Sequence, residues 1–448
     1  MNASEPRSVE HRTFVVVRWI TKPVADAKSF FEGPIVHNAA TLYGTTIVTS
    51  ALGFVYWFIA ARMVPARAVG LASAIQSATA FLSIVCVIGL STLLISELSK
   101  DRAHARSLML TASAIVAMVT LILAPIVGLC LQRFSITLRQ GLPGAVALLV
   151  FTFLTALTCV ALVLDDACIG LLRGDLQLRR NTVFALSKLL LLPVLIVLWP
   201  TKSGTEMVVA WLAGVAISLV TVAVALRKLT REQSSRLNFS EFIQKRHLMV
   251  GHHWLNLAIL SPRMIFPVLV ATIVGPVANA GFTVAQLVVS IATVIPYHLS
   301  TVLFALAPGD EVSLHREIRK TMRLCLILSL GSAPFFVLFS GVILGFFGHG
   351  YETAAPVMAI LGLTIYPFAI KFHYVAIARV RGRMQQAAYL ATIGAGLEVG
   401  LAAVGAVVHG ETGLALGIFF AALVEGALFY RIVFGVLRKH QTAIDDVT

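Results

Sequence analysis

MIFPVLVATIVGPVANAGFTVAQLVVSIATVIPYHLSTVLFALAPG, residues 264–309, runs for 46 residues without one Asp, Glu, Lys or Arg. As a single helix it would be about 69 Å long, whereas the hydrocarbon core of a bilayer is about 30 Å thick and needs about 20 apolar residues. The stretch therefore holds two crossings, and Gly275-Pro276 with Gly281 marks the bend between them. Five more windows carry no charge: 107–130, 143–164, 207–226, 324–351 and 412–424. Over all 448 residues, 58% are hydrophobic and 12% charged, about half the charged share of a soluble globular chain. The solvent around this protein is lipid. An all-α integral membrane protein of about twelve crossings follows, with spans near 38–63, 69–96, 107–130, 143–168, 182–200, 206–227, 250–274, 278–306, 322–347, 354–378, 386–408 and 412–436.

A formal net charge of +14 would suit nucleic acid, but its placement argues against that partner. The N-terminal tail, the C-terminal tail and the loops after spans 2, 4, 6, 8 and 10 carry 26 of the 35 Lys and Arg. The opposite loops carry five: Arg62, Arg67, Arg133, Arg139 and Lys202. Lys188, Arg263, Lys371 and Arg431 fall inside spans. By the positive-inside rule both termini are expected in the cytoplasm of a bacterial inner membrane, with the basic side against anionic lipid. Residues 1–37 read as a cytoplasmic extension rather than a signal peptide, because Arg18 breaks their short apolar run and no cleavage site follows. The cysteines (Cys86, Cys130, Cys159, Cys168, Cys325) stand singly, without metal spacing, and read as small hydrophobes.

The chain also repeats itself. Pro65-Ala66-Arg67-Ala68-Val69-Gly70 is echoed by Pro276-Val277-Ala278-Asn279-Ala280-Gly281 at an offset of 211. Leu90-Ser91-Thr92 recurs as Leu299-Ser300-Thr301 at 209, and Arg173-Gly174-Asp175-Leu176-Gln177 as Arg381-Gly382-Arg383-Met384-Gln385 at 208. Each match is weak, but their common order implies two parallel six-helix lobes, residues 38–227 and 250–436, related by an axis along the membrane normal. A charged linker at 228–249 and a tail at 437–448 complete the chain. The linker's charge and its amphipathic Phe239–Ile243 patch suit a surface helix that lets the lobes move.

Gly53–Pro65 (GFVYWFIAARMVP), Val69–Ala74 (VGLASA), Gly89–Thr92 (GLST) and the loop Leu172-Arg173-Gly174 resemble the polysaccharide transporter family, the flippases of undecaprenyl-linked oligosaccharides. That family shares a superfamily with multidrug and toxin extrusion proteins. With the span count, the resemblance covers Asn38–Val436. It implies a V-shaped molecule whose spans 1, 2, 7 and 8 line a central cavity. It also implies passage of a diphosphate-linked glycan to the outer leaflet while the polyprenyl tail stays in lipid. The partners so implied are the lipid-linked glycan, membrane lipid and the polymerase or export machinery of polysaccharide synthesis; no cofactor is implied.

Ionisable side chains inside a span are functional candidates, because an isolated charge there costs several kcal/mol. Arg263 sits near mid-depth of span 7, and His252, Asn256 and Arg263 share one helix face. The equivalent positions of span 1 hold Thr41 and Thr45. Facing polar stripes with a deep Arg would suit a phosphate or a uronic acid; a buried, paired Arg is the structural alternative. Lys371 is either a cavity residue or a lysine snorkelling to the headgroups, as is Lys188. Gln76 and Gln286, near-equivalent in spans 2 and 8, would bind sugar hydroxyls or join helices. Glu398 and Glu425 lie too deep to snorkel and are candidates for ion coupling, or for pairing with a cation.

No P-loop, paired loop carboxylates or Ser/His/Asp arrangement is present, and the loops on the basic-poor side are too short for a glycan-polymerising domain. The expectation is a transporter rather than an enzyme, exporting glycan for exopolysaccharide, O-antigen or capsule. An ion-coupled drug antiporter of the same superfamily, a peptidoglycan-precursor flippase and a non-transporting subunit of a polysaccharide synthesis complex remain as alternatives.

Overall fold

The computed structural model describes residues 34–100, 102–198, 202–244, 246–306 and 311–445, with side chains at all of these except 34–43, 241, 246–252, 301–317 and 435–445. The N-terminal extension up to residue 33 lies outside this set. Among the described residues there is no strand. The first half comprises α1 (Pro34–Met63), α2 (Ala66–Val87), α3 (Leu90–Lys100), α4 (Ala105–Phe134), α5 (Ile136–Gly141), α6 (Gly144–Gly170), α7 (Gly174–Leu198) and α8 (Thr205–Leu229). A short α9 (Phe239–Gln244) leads to α10 (Arg246–Leu269), α11 (Pro276–Leu306), α12 (Glu311–Gly345), α13 (Ala355–Leu363), α14 (Ile365–Val380) and α15 (Met384–Asp445).

Ten of these helices are long and apolar enough to cross a bilayer. An eleventh crossing is the pair formed by Tyr351–Leu363 and Ile365–Val380, bent by 40°. Helix α15 leaves helical geometry at His409 and Gly410, so it crosses twice and brings the total among the described residues to twelve. The chain is thus an all-α, multi-pass membrane protein. The uncharged run at 264–309 does break at Gly275-Pro276: a π-helical turn, Val270–Val274, ends at Gly275 (φ 134°) and α11 begins on Pro276. Proline at the first helical position gives up an N–H that the helix would leave unpaired.

Two details differ from the sequence reading. Span 2 is not continuous over 69–96, because Ile88 (φ 48°) and Gly89 (φ 74°) separate α2 from α3. The repeat register also shifts. The left-handed residue after α6 is Leu172 (φ 57°) and that after α14 is Gly382 (φ 66°), an offset of 210. The matching 6→1 bonds, Arg173 N to Cys168 O and Arg383 N to Ala378 O, are likewise 210 apart. The Arg-Gly motif at 208 is therefore two residues out of structural register. The first part of the linker is bonded to the first half. Gln233 bonds the Arg106 N–H and the Arg102 carbonyl, the Ser107 hydroxyl donates to Arg236 O, and Asn238 N donates to Thr111.

The two halves meet where their repeated motifs meet. Helix α2 crosses α11 so closely that a Cβ on Gly70 would overlap the Pro276 carbonyl oxygen. Beside that crossing the Asn279 amide donates to Gly70 O at 2.7 Å and to Ser73 Oγ at 2.9 Å, and Thr283 Oγ1 donates to the same hydroxyl at 3.1 Å. Arg62 donates twice to Phe346 O, at 2.9 and 2.7 Å, and Phe347 packs edge-on against Phe54 and Phe58. Small residues and buried hydrogen bonds hold helices together where lipid offers no hydrophobic drive. Among the described residues, the side-chain hydrogen bonds that join the halves all lie at the basic-poor end; at the other end α3 touches α10. Replacing Gly70 by Ala should cost about 1–3 kcal/mol, seen as a lower Tm of the purified protein. Gly53→Ala, with nothing within 4 Å of its Cβ, should leave Tm unchanged or slightly raised. Equal Tm for the two variants would mean that α2 and α11 do not cross there.

Candidate functional site

A cavity of about 360 Å³ opens inside the helix bundle, within the size range of small-molecule sites. Its polar lining comes from Thr46 on α1, Arg263 on α10, Gln286, Ser290, Thr293, Tyr297 and His298 on α11, Thr364 between α13 and α14, Lys371 on α14 and Glu398 on α15. Phe266, Phe368 and Phe372 supply aromatic walls. The resemblance implied lining by spans 1, 2, 7 and 8. Instead, α10 and α11 are joined by α13, α14 and both arms of α15, α1 contributes Thr46, and α2 contributes nothing.

Arg263 reaches this cavity because the face bearing Asn256, Ile259 and Arg263 turns inward as one stripe, all three lining contiguous pockets. Its side chain is exposed to the cavity, and among the described residues no carboxylate pairs with it. Arg263 therefore enters the cavity as a net positive charge. Gln286 stands beside it and donates to the Arg263 carbonyl oxygen at 3.3 Å. Asn256 accepts from Arg379 at 3.1 Å in a smaller adjoining pocket.

The other candidates separate. Gln76 lines a small pocket in the first half, with Tyr56, Met207 and Trp211, so the two near-equivalent glutamines do not face one another. Thr45 is buried, and Thr46, one residue and about 100° further round the helix, faces the cavity instead. The side chains of Thr41 and His252 lie outside the described residues.

Lys371 does not snorkel. It is 2% exposed, and it contacts Glu398 and Glu425, the latter at 2.9 Å. The sequence placed these residues on three different spans, and the fold brings them together between α14 and the two arms of α15. Gly394, one turn before Glu398, makes room for the Glu425 carboxylate; a Cβ there would overlap it. Lys371 and Glu398 lie on the cavity wall with Glu425 behind them, so the lysine is already committed to two acids. Lys188 takes a different solution. Its ammonium lies 4.9, 4.7 and 4.4 Å from the ring centres of Tyr56, Phe184 and Trp211, a cation–π cage. At the basic-rich end Arg180 forms a bidentate, buried ion pair with Asp165, supported by Asn181. Sequence reasoning missed Arg379, which it counted as a loop charge; it sits in the last turn of α14.

The family model described as "Polysaccharide biosynthesis protein" matches residues 35–308, more than half of the chain. No curated protein matches. Among solved structures, an inward-facing multidrug resistance MATE family transporter of the MOP superfamily aligns with a TM-score of 0.63 at 16% identity, covering 87% of this chain and 95% of that one. The lipid II flippase MurJ in an inward closed conformation aligns with a TM-score of 0.63 at 13% identity, covering 89% and 87%. An outward-facing MATE family transporter aligns with a TM-score of 0.57 at 15% identity, covering 89% and 96%. At these identities the likeness establishes a shared all-helical membrane fold.

Removing Lys371 would leave two buried carboxylates facing each other. Lys371→Met should therefore destabilise the protein by about 3–5 kcal/mol, read as Tm in detergent. Adding Glu398→Gln and Glu425→Gln should restore most of the loss. A Lys371→Met protein as stable as the unaltered one would show that the triad is not formed.

Proposed function

The chain belongs to the polysaccharide biosynthesis protein family, and from that premise we propose that it is a membrane transporter which flips a lipid-linked oligosaccharide. The cargo is an undecaprenyl diphosphate glycan destined for exopolysaccharide, O-antigen or capsule. It moves from the cytoplasmic to the outer leaflet of the inner membrane as the two halves alternate in opening. In this reading the termini and the basic loops face the cytoplasm, where they follow the positive-inside rule.

One observation carries the reading: Arg263 projects into a cavity of about 360 Å³ a guanidinium that has no carboxylate partner among the described residues. Arginine matches the planar oxygens of a phosphate through parallel N–H donors, and it stays charged in a poorly hydrated site. A cation exporter would instead need an unoccupied acid at the cavity wall, and Glu398 is held by Lys371. The hydroxyl and amide groups of Gln286, Ser290 and Thr293 suit sugar hydroxyls, and the aromatic walls suit ring faces. The polyprenyl tail stays in lipid, since its transfer through a polar cavity would cost hydrophobic free energy. We seat ion coupling at Glu398 and Glu425, two buried carboxyl groups that share one cationic partner, Lys371.

In cells, Arg263→Ala should abolish surface glycan and cause lipid-linked repeat units to accumulate on the cytoplasmic side, whereas Arg263→Lys should retain part of the export. Normal export by well-expressed Arg263→Ala protein would remove Arg263 from the site. Altered drug sensitivity without accumulation of lipid-linked units in a deletion strain would favour a drug exporter instead.

A further inference from the structure

The Arg263 cavity has a second, smaller chamber. A pocket of about 30 Å³ shares Ile259, Leu260, Tyr297 and Phe372 with the large cavity, and its far wall is made by Asn256 and Arg379. Arg379 lies in the last turn of α14 and spends one N–H on Asn256 Oδ1, at 3.1 Å. Among the described residues no carboxylate pairs with it, and Asn256 takes one of its five N–H donors. Asn256 and Arg263 are seven residues apart on the same face of α10, which separates the two ends by about 10 Å along the helix. Between them Tyr297 and Phe372 meet edge-to-face at 5.4 Å, and Phe368 continues the aromatic surface 6.4 Å from Phe372. The molecule thus places a cation, an aromatic floor and a second cation in one line.

Taking the lipid-linked glycan reading as its basis, we infer that Arg379 and Asn256 form a second anion subsite, which selects glycans bearing an acidic group near the diphosphate. The diphosphate sits at Arg263. The first sugars lay their C–H faces on Tyr297 and Phe372, whose ring faces are electron-rich. A carboxylate or phosphate borne on the glycan then meets the Arg379 guanidinium, which Asn256 holds in place. The separation fits a disaccharide between the two charges. A neutral glycan would leave Arg379 desolvated without compensation, and a site built for a charged partner rejects the analogue lacking it.

The test uses the full chain in lipid nanodiscs with three short-prenyl diphosphate disaccharides, ending in glucose, glucuronic acid or glucose 6-phosphate. The unaltered protein should bind at least one acidic probe about tenfold more tightly than the glucose probe; which one identifies carboxylate or phosphate as the partner. Arg379→Gln should lose that preference while binding the glucose probe at least as tightly as the unaltered protein does, a result that also shows the variant folded. Arg379→Lys, which keeps the charge, should retain part of the preference. Arg263→Gln should weaken all three probes alike. An acid preference that survives in Arg379→Gln, or that is absent from the unaltered protein, overturns the subsite while leaving the flippase reading intact. Binding of none of the probes by the unaltered protein overturns the glycan-diphosphate reading and the subsite with it.

Discussion

An ionised side chain inside hydrocarbon must be neutralised, caged or given access to a polar cavity, and that requirement organises the interior of this protein. Four cationic side chains inside the bundle show three solutions. Lys371 is neutralised by Glu398 and Glu425, and Arg180 by Asp165. Lys188 has three aromatic faces in place of a counter-ion. Arg263 has none of these and opens into the cavity. The first three side chains find their partners within the chain. Arg263 leaves a positive charge with no carboxylate partner among the described residues, which is the physical basis for reading the cavity as an anion site.

The same constraint shapes the junction between the halves. Helices in lipid gain little from burying apolar surface against one another, so close backbone approach and buried hydrogen bonds carry the association. Gly70 permits the approach to Pro276, and Asn279, Ser73 and Thr283 supply the bonds. Gly70, Pro276 and Asn279 belong to the repeated motif itself, and Ser73 and Thr283 follow it within a turn. The repetition that betrays two halves in the sequence is also where the halves touch, because an axis relating them must pass near equivalent residues. Among the described residues the hydrogen-bonded ties cluster at one end of the bundle, a distribution compatible with two halves that part about that end.

Much of this was legible in the amino-acid sequence. Hydrophobic length counted the crossings, and Gly275-Pro276 located a break correctly, because a span's length is set by the bilayer and a Gly-Pro pair interrupts any helix. Arg263 stood out because a lone Arg in an apolar run has few structural excuses. The sequence could not show that Lys371, Glu398 and Glu425 meet, since each lies on a different crossing and contact depends on how three helices rotate. Helix rotation also decided between Thr45 and Thr46, and it sent Gln76 and Gln286 into different pockets. Arg379 was hidden by a helix end that pattern reading places only to within a few residues; two more residues of α14 convert a loop charge into a pocket wall. The two-residue discrepancy between the Arg-Gly motif and the structural repeat arose because the turn geometry at Leu172 and Gly382, rather than residue identity, aligns the halves.

The central claim is that the cavity moves an anionic, lipid-linked head group and does so through Arg263. Reconstitution into proteoliposomes with a fluorescent prenyl diphosphate disaccharide, alongside the same prenyl disaccharide joined without phosphate, tests it directly. The account predicts that the protein carries the diphosphate lipid between leaflets well above the rate of protein-free vesicles and leaves the phosphate-free lipid at that background. Equal movement of both lipids, or movement of neither, would contradict it.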